Sequence, residues 1–206
     1  MDRLTIAIAK GRLGNKGLEL FKDTEYEIVI KENSRKLVYN NENKKINFIF
    51  VKPCDVVTYV EKGVADMGIV GKDTILEENK DIYEVLDLDY GNCRFVVAGF
   101  EDQNLVKKNE VLTIATNYPS YVESVFKDKN QQIEIIKLGG AVELAPLMGL
   151  SEVIVDIVET GSTLKDNGLV VLEELDPISA RLIVNKVSYR FKYDEIRKIE
   201  RILGGL

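Results

Sequence analysis

The sequence predicts an α/β protein, and three observations carry that prediction. Segments that read as strands alternate with segments that read as helices from one end to the other. Several strands pass through a glycine-bearing or proline-opened turn straight into a helix. No Pro- or Ser-rich linker, low-complexity segment or internal repeat interrupts the alternation. Largely parallel sheets are the expected result.

Taken in order, Leu4–Ala9 is an apolar strand, Lys10-Gly11-Arg12 a turn, and a helix runs from about Leu13 to Phe21. Ile46–Val51 is a second strand. Pro53 opens a helix to about Lys62, at a position where its missing N–H does no harm, and Gly63 ends it. Asp66–Val70 is a strand and Lys72–Glu77 a short helix. Strands follow over Cys93–Ala98, Leu112–Thr116, Ile133–Lys137 and Val153–Val155, with helices near Tyr118–Lys127 and Val142–Leu147 between them. Asp156 and Glu159 come next, then a turn of Thr160, Gly161, Ser162 and Thr163, then a short helix over Leu164–Asn167. Ala180–Val184 is the last expected strand. Tyr193, Ile196, Ile199 and Leu203 share one face of a final helix. The polar turns Asp89–Asn92 and Asp176-Pro177 are the expected crossings between two domains, residues 1–91 plus 179–206 and residues 92–178. Two crossings return the final helix to the first domain.

With 206 residues, 45% hydrophobic and 30% charged, the chain has the composition of an ordinary globular protein. No apolar run is long enough to cross a bilayer, and the N-terminus lacks a signal peptide's layout, so a cytoplasmic protein is expected. A net charge of −6 argues against nucleic acid as the main partner. The two cysteines, Cys54 and Cys93, are far apart and are expected as buried or semi-buried thiols. Histidine is absent. That excludes Ser-His-Asp and Cys-His chemistry and makes a zinc site improbable; a metal taking part would be a hard ion such as magnesium, held by acids and substrate phosphates.

The run from Asp156 to Leu164 carries the clearest chemistry. A strand feeding a small, hydroxyl-rich turn at a helix start presents N–H and hydroxyl groups that suit a phosphate. Asp156 and Glu159 are placed to accept hydrogen bonds from the hydroxyls of an attached sugar. The same residues also read as a plain strand-to-helix connection, with Thr160 or Ser162 as the N-cap. Lys10-Gly11-Arg12 lies at the carboxyl end of the first strand, where α/β sheets bind ligands, and suits a polyphosphate or a solvated turn. Ser34-Arg35-Lys36-Leu37 adds a second basic pair. Glu143, after Gly139-Gly140, is either a favourable acid in a helix's first turn or a ligand contact.

In order and over almost the whole chain, these segments resemble the catalytic subunit of ATP phosphoribosyltransferase, first enzyme of histidine biosynthesis, in its short form. Lys10-Gly11-Arg12, Ser34–Leu37, Asp55-Val56 with Thr58–Glu61, Gly68–Asp73, Val142–Pro146, Asp156–Gly161 and Ser179–Asn185 carry the resemblance. Lys52 departs from the family's usual arginine, Asn117 from its usual lysine, and Gly140-Ala141 vary the approach to Val142-Glu143. The resemblance implies two α/β domains of the periplasmic-binding-protein type II kind, joined by a double crossover around a cleft. It also implies that the long form's regulatory domain is missing after Leu206. A separate regulatory subunit resembling a histidyl-tRNA synthetase, in a hetero-octamer, would then carry feedback by histidine.

The implied reaction is attack by N1 of ATP on the anomeric carbon of phosphoribosyl pyrophosphate. Thr160, Gly161, Ser162 and Thr163 are expected to hold the 5-phosphate, and Asp156 and Glu159 the ribose hydroxyls. Arg12 and Arg35, with magnesium, would neutralise the pyrophosphate or the ATP phosphates; Lys10 assists, and Glu143 contacts substrate. Two rivals remain: a non-catalytic small-ligand-binding module of the same architecture, and a subunit silent until its partner arrives. The missing export signal weighs against the first, and the complete acid-and-phosphate turn against the second.

Overall fold

In the computed structural model, which describes residues 3–30, 35–41, 43–105, 110–129 and 131–204, strands and helices alternate along the chain. Ser34 lies outside the described residues. The first stretch runs β1 (Leu4–Ala9), α1 (Arg12–Glu19), β2 (Val38–Asn41), β3 (Ile46–Val51), α2 (Pro53–Glu61), β4 (Met67–Gly71), α3 (Lys72–Glu78) and β5 (Tyr83–Asp87). The middle stretch holds β6 (Cys93–Gly99), β7 (Leu112–Thr116), α4 (Pro119–Asp128), β8 (Ile133–Lys137), α5 (Leu144–Leu147), β9 (Val153–Val158), α6 (Ser162–Asp166) and β10 (Val170–Ile178). The chain finishes with β11 (Ala180–Val184), α7 (Lys186–Phe191) and α8 (Tyr193–Gly204). Two compact units result, one built from the chain up to Gly91 and from Ser179 onward, the other from Asn92 to Ile178.

The first unit's sheet has the order β2-β3-β1-β4-β11-β5. Strand alternation divides its core. Leu4, Ile6 and Ile8 point to one face, where they meet Phe21, Phe48, Met67 and Ile69 and the buried stripe Ile196, Ile199 and Leu203 of α8. Ala7 and Ala9 point to the other and leave room for Val56, Val57 and Val60 of α2. Asp66, nearly buried just before β4, ties the end of the chain to this sheet. Its carboxylate accepts from the Thr5 N–H at 2.8 Å, the Ser188 hydroxyl at 2.6 Å and the Lys192 ammonium at 3.0 Å. Asn185 caps α7, accepting from the N–H groups of Val187 and Ser188, and donates to the Val60 carbonyl at 2.8 Å.

The second sheet has the order β10-β6-β9-β7-β8. Val96, Ala98, Ala115, Ile154 and Val158 form one face under Val142, Ala145 and Leu164.

Both sheets are mixed, which corrects the expectation of largely parallel ones. β1 runs parallel to β3 and β4, and β7 to β8 and β9. β2 is antiparallel to β3 because the connection between them is too short for a crossover. β11 is antiparallel to β4 and β5, and β6 to β9 and β10. A second correction concerns Asp176-Pro177, which lies inside β10 with Pro177 opposite Arg94. Proline is tolerated there because β10 is an edge strand. The chain therefore leaves the second unit only after Ile178. Cys54 is exposed and Cys93 half-buried; α2 buries Val56, Val57 and Val60 instead of Cys54. No helix among the described residues is long and apolar enough to cross a membrane.

Candidate active site

β9 is the central strand of the second sheet. Its apolar run Val153–Val155 is buried, and the ladder continues beyond it, with Asp156, Ile157 and Val158 opposite Val96, Phe95 and Arg94 of β6. Asp156 therefore stands within the strand, its Oδ1 accepting the Ile157 N–H at 2.8 Å. Gly161 then adopts φ 80°, the left-handed region, and α6 starts at Ser162. A Cβ there would approach only Val158, at an ordinary 3.8 Å, so conformation and not space calls for glycine. Gly161, neither Thr160 nor Ser162, occupies the N-cap position of α6, and the Thr160 hydroxyl accepts the Ser162 N–H at 3.4 Å. Thr160 Oγ1 and Ser162 Oγ lie 3.1 Å apart at its mouth. First-turn N–H groups have no acceptor inside a helix, which leaves those of Thr163 and Leu164, beside the Ser162 N–H on Thr160, at the mouth of the turn. Leu164, 4% exposed, seats α6 on the sheet face formed by Val96, Ala98 and Val158.

A hollow of about 220 Å³ is lined by the continuous run Asp156–Leu164 together with Glu143. The structure thus brings together Asp156, Glu159, Thr160, Gly161, Ser162, Thr163 and Glu143. Glu143 reaches it from the N-cap position of α5, with helical φ −59° and no side-chain capping bond. The lining mixes hydroxyls and helix-start N–H groups with three carboxylates, Glu143, Asp156 and Glu159, and contains no Lys or Arg. Donors and acceptors are paired as a phosphorylated polyol requires. Because α6 has only five residues, what the turn offers an anion is local N–H groups and not a long helix dipole.

The first unit carries a second hollow, of about 550 Å³, with the opposite charge. β1 hands the chain to Lys10, whose N–H donates to the Val51 carbonyl at 2.8 Å. α1 then packs so closely on the strand end that a Cβ at Gly14 would fall 1.7 Å from the Ala9 carbonyl oxygen. Lys10, Arg35 and Lys36 line this hollow, with Leu18, Leu37, Tyr39 and Phe50 among its apolar walls and no acid in the lining. Tyr39 and Phe50 meet edge to face at 5.5 Å, and the Lys36 ammonium stands 5.3 Å from the Tyr39 ring centre. Arg12 is exposed at the first position of α1 and does not line either hollow. Sequence reasoning missed Asn15, Tyr39 and Phe50 as lining residues; the aromatic pair comes together only through the pairing of β2 with β3, which joins segments with no shared motif.

Other motif residues hold the frame. Lys52 and Asp55 start α2, Asp55 as its first-turn acid. Lys72 forms an ion pair with Glu84, and Arg181 joins Glu84 at 3.4 Å and Asp87 at 2.8 Å. The Ser179 hydroxyl donates to Asp87 at 2.8 Å. Burial works to raise the Asp87 pKa, but the Asp89 N–H, the Ser179 hydroxyl and Arg181 outweigh it and hold that carboxyl below its ordinary range.

Comparison with known proteins agrees with this frame over nearly the full chain. The sequence model of the family HisG, ATP phosphoribosyltransferase, matches residues 52–205. The ATP phosphoribosyltransferase of Clostridioides difficile (strain 630) is 55% identical over 206 residues, covering 100% of this chain and 99% of the relative. The solved ATP phosphoribosyl transferase (HisG:HisZ) complex from Thermotoga maritima superposes with a TM-score of 0.86 at 36% identity, covering 98% of this chain and 97% of that one. The periplasmic aliphatic sulphonate binding protein SsuA from Escherichia coli shares the fold alone, with a TM-score of 0.60 at 13% identity over 98% of this chain and 72% of that one. The chain has the periplasmic-binding-protein type II fold and belongs to the ATP phosphoribosyltransferase family.

Proposed function

We propose that this chain transfers the phosphoribosyl group of phosphoribosyl pyrophosphate to N1 of ATP, giving phosphoribosyl-ATP and pyrophosphate, the first step of histidine biosynthesis. One observation carries the reading: Glu143 and the unbroken run Asp156–Leu164 line a single hollow whose donors suit a 5-phosphate and whose carboxylates suit ribose hydroxyls. Membership of the family supports the same reaction.

The chemistry asks little of acid–base groups. N1 of adenine already carries a lone pair at neutral pH; it forms a bond to the anomeric carbon as the bond to the pyrophosphate oxygen breaks, and pyrophosphate leaves with the electron pair. A chain without histidine can do this. Its work is to align the two substrates and stabilise charge on the leaving group. Thr160, Gly161, Ser162 and Thr163 hold the 5-phosphate, Asp156 and Glu159 the ribose diol, and Glu143 contacts the sugar. The basic hollow of Lys10, Arg35 and Lys36 takes the polyphosphate of the nucleotide or the departing pyrophosphate. Arg12, one turn position away, assists from the start of α1.

Among the described residues no cluster of three or more His, Cys, Asp or Glu side chains could hold a metal ion. Magnesium would therefore come bound to substrate phosphates, with Asp156 or Glu159 as the protein's contribution, and would offset phosphate charge there. The Thermotoga maritima relative was solved as a complex of two kinds of chain, which supports a separate regulatory subunit here. A histidyl-tRNA-synthetase-like partner in a hetero-octamer, acting in the cytoplasm, completes the proposal.

The test is direct. Mixing the chain with ATP, phosphoribosyl pyrophosphate and magnesium, with and without a regulatory subunit, is expected to release one pyrophosphate per phosphoribosyl-ATP formed. No pyrophosphate in either mixture would refute the activity.

A further inference from the structure

The phosphoribosyl hollow poses an electrostatic problem. Its lining carries Glu143, Asp156 and Glu159 and no cation, yet the ligand proposed for it is itself strongly anionic. Helix-start N–H groups contribute only partial charges. A fixed positive charge nearby would add to what substrate-bound magnesium offsets, and strand register shows which basic residue could supply it. β9 is flanked by β6 and β7. The β7 residues paired with it are Ile114, Ala115 and Thr116. Along β6, the residue opposite Val158 is Arg94, the one basic residue in register with β9.

Facing matters as much as register. Residues directly opposite across a ladder point to the same side of a sheet, about 5 Å apart. Val158 lines the hollow and packs with Val96 and Ala98 under Leu164. Arg94, Val96 and Ala98 alternate along β6, so Arg94 emerges on that same face, beside the last residue of β9. Lys165 is a poorer source, because it sits in the last turn of α6, away from the helix start.

The present partner of Arg94 holds it loosely. Its Nε lies 2.9 Å from a Glu174 carboxylate oxygen, but that carboxylate side chain is 62% exposed. The contact lacks hydrogen-bond alignment, so the Nε is buried with no hydrogen-bond acceptor. With its acid mostly exposed and no aligned hydrogen bond, the pair is weak and is readily exchanged for a dianion.

We propose that Arg94 is a further binding residue of the phosphoribosyl hollow, supplying the fixed positive charge its lining lacks, with Glu174 holding the guanidinium until the ligand arrives. This rests on the reading of the hollow as a sugar-phosphate site. Calorimetric titration of the full chain with ribose 5-phosphate, and separately with ATP, tests it in wild type, Arg94→Gln, Arg94→Lys and Glu174→Gln. Arg94→Gln is expected to weaken ribose 5-phosphate about tenfold or more while leaving ATP unchanged. Arg94→Lys should recover much of the loss, and Glu174→Gln should bind as tightly as wild type or tighter. The proposal is overturned if Arg94→Gln binds ribose 5-phosphate like wild type. It is overturned equally if Glu174→Gln reproduces the Arg94→Gln loss, since the ion pair would then be a structural strut. Wild-type chain that binds no ribose 5-phosphate would instead bring down the sugar-phosphate reading itself, and this inference with it.

Discussion

Gly161 is where conformation and chemistry meet. At φ 80° with no crowding around its Cβ position, it turns the chain from β9 into α6. A β-branched side chain in that region costs roughly 1–3 kcal/mol, and the turn would shift to relieve it. Gly161→Val is therefore expected to lower turnover about a hundredfold, as a displacement near 1 Å can do, with Tm lowered by only a few degrees; turnover within twofold of wild type would mean that the turn is not gripping substrate. Arg35 lines the basic hollow. Losing one charge-stabilising donor typically costs a factor of about a hundred or more in rate, so Arg35→Ala should depress kcat far more than ATP affinity. Equal falls in both, or none, would remove its leaving-group role. The grouping at this level was legible in the sequence: Asp156, Glu159 and the Thr160–Thr163 turn are neighbours in order and line one hollow. Arg12 did not follow Lys10 and Arg35 into the hollow, because the start of α1 turns it outward, and sequence adjacency carries no such information. Arg94 was invisible for a related reason: its relevance comes from register with Val158, across a ladder joining distant segments.

The elements that position the site depend on buried contacts that can be weighed. Leu164 anchors α6 to the face of Val96, Ala98 and Val158. Leu164→Ala is expected to destabilise the protein by about 2–5 kcal/mol in urea unfolding, and a loss below about 0.5 kcal/mol would show that α6 is held some other way. The frame also has an acid limit. Asp87 titrates below its ordinary range in the folded chain, so its contribution is complete above the unfolded carboxylate pKa and disappears as pH falls through the lowered folded value. Urea midpoints measured from neutral to strongly acidic pH should fall less steeply at the acid end in Asp87→Asn than in wild type; identical acid limbs would contradict this. Central strands such as β1, β4 and β9 were plain from their apolar runs. β2, β5 and β10 are edge strands whose faces stay largely polar, as in Val38-Tyr39-Asn40-Asn41, and they escaped, whereas β8, also an edge, was readable from Ile133, Ile135 and Ile136. α7 escaped because its start depends on Asn185 meeting Val187 and Ser188, a capping arrangement hidden behind an apolar strand.

The alternation of strands and helices made the α/β class readable, but not the direction of the edge strands. Parallel pairing follows from crossover helices, whereas the antiparallel partners arise from a short connection at β2–β3 and from the chain's passage between units, and neither leaves a periodic signal. Family membership shows the class of reaction. If a separate subunit regulates this chain as proposed, histidine is expected to leave the isolated chain's turnover unchanged and to inhibit only after the regulatory subunit is added, and inhibition of the chain alone would refute a separate regulator. The proposed mechanism depends most on where the sugar phosphate sits. A crystal structure with phosphoribosyl pyrophosphate bound decides it: the 5-phosphate is predicted within hydrogen-bonding distance of the Thr160–Thr163 turn, with the ribose hydroxyls on Asp156 and Glu159, whereas a sugar phosphate bound elsewhere with this hollow empty would contradict the assignment.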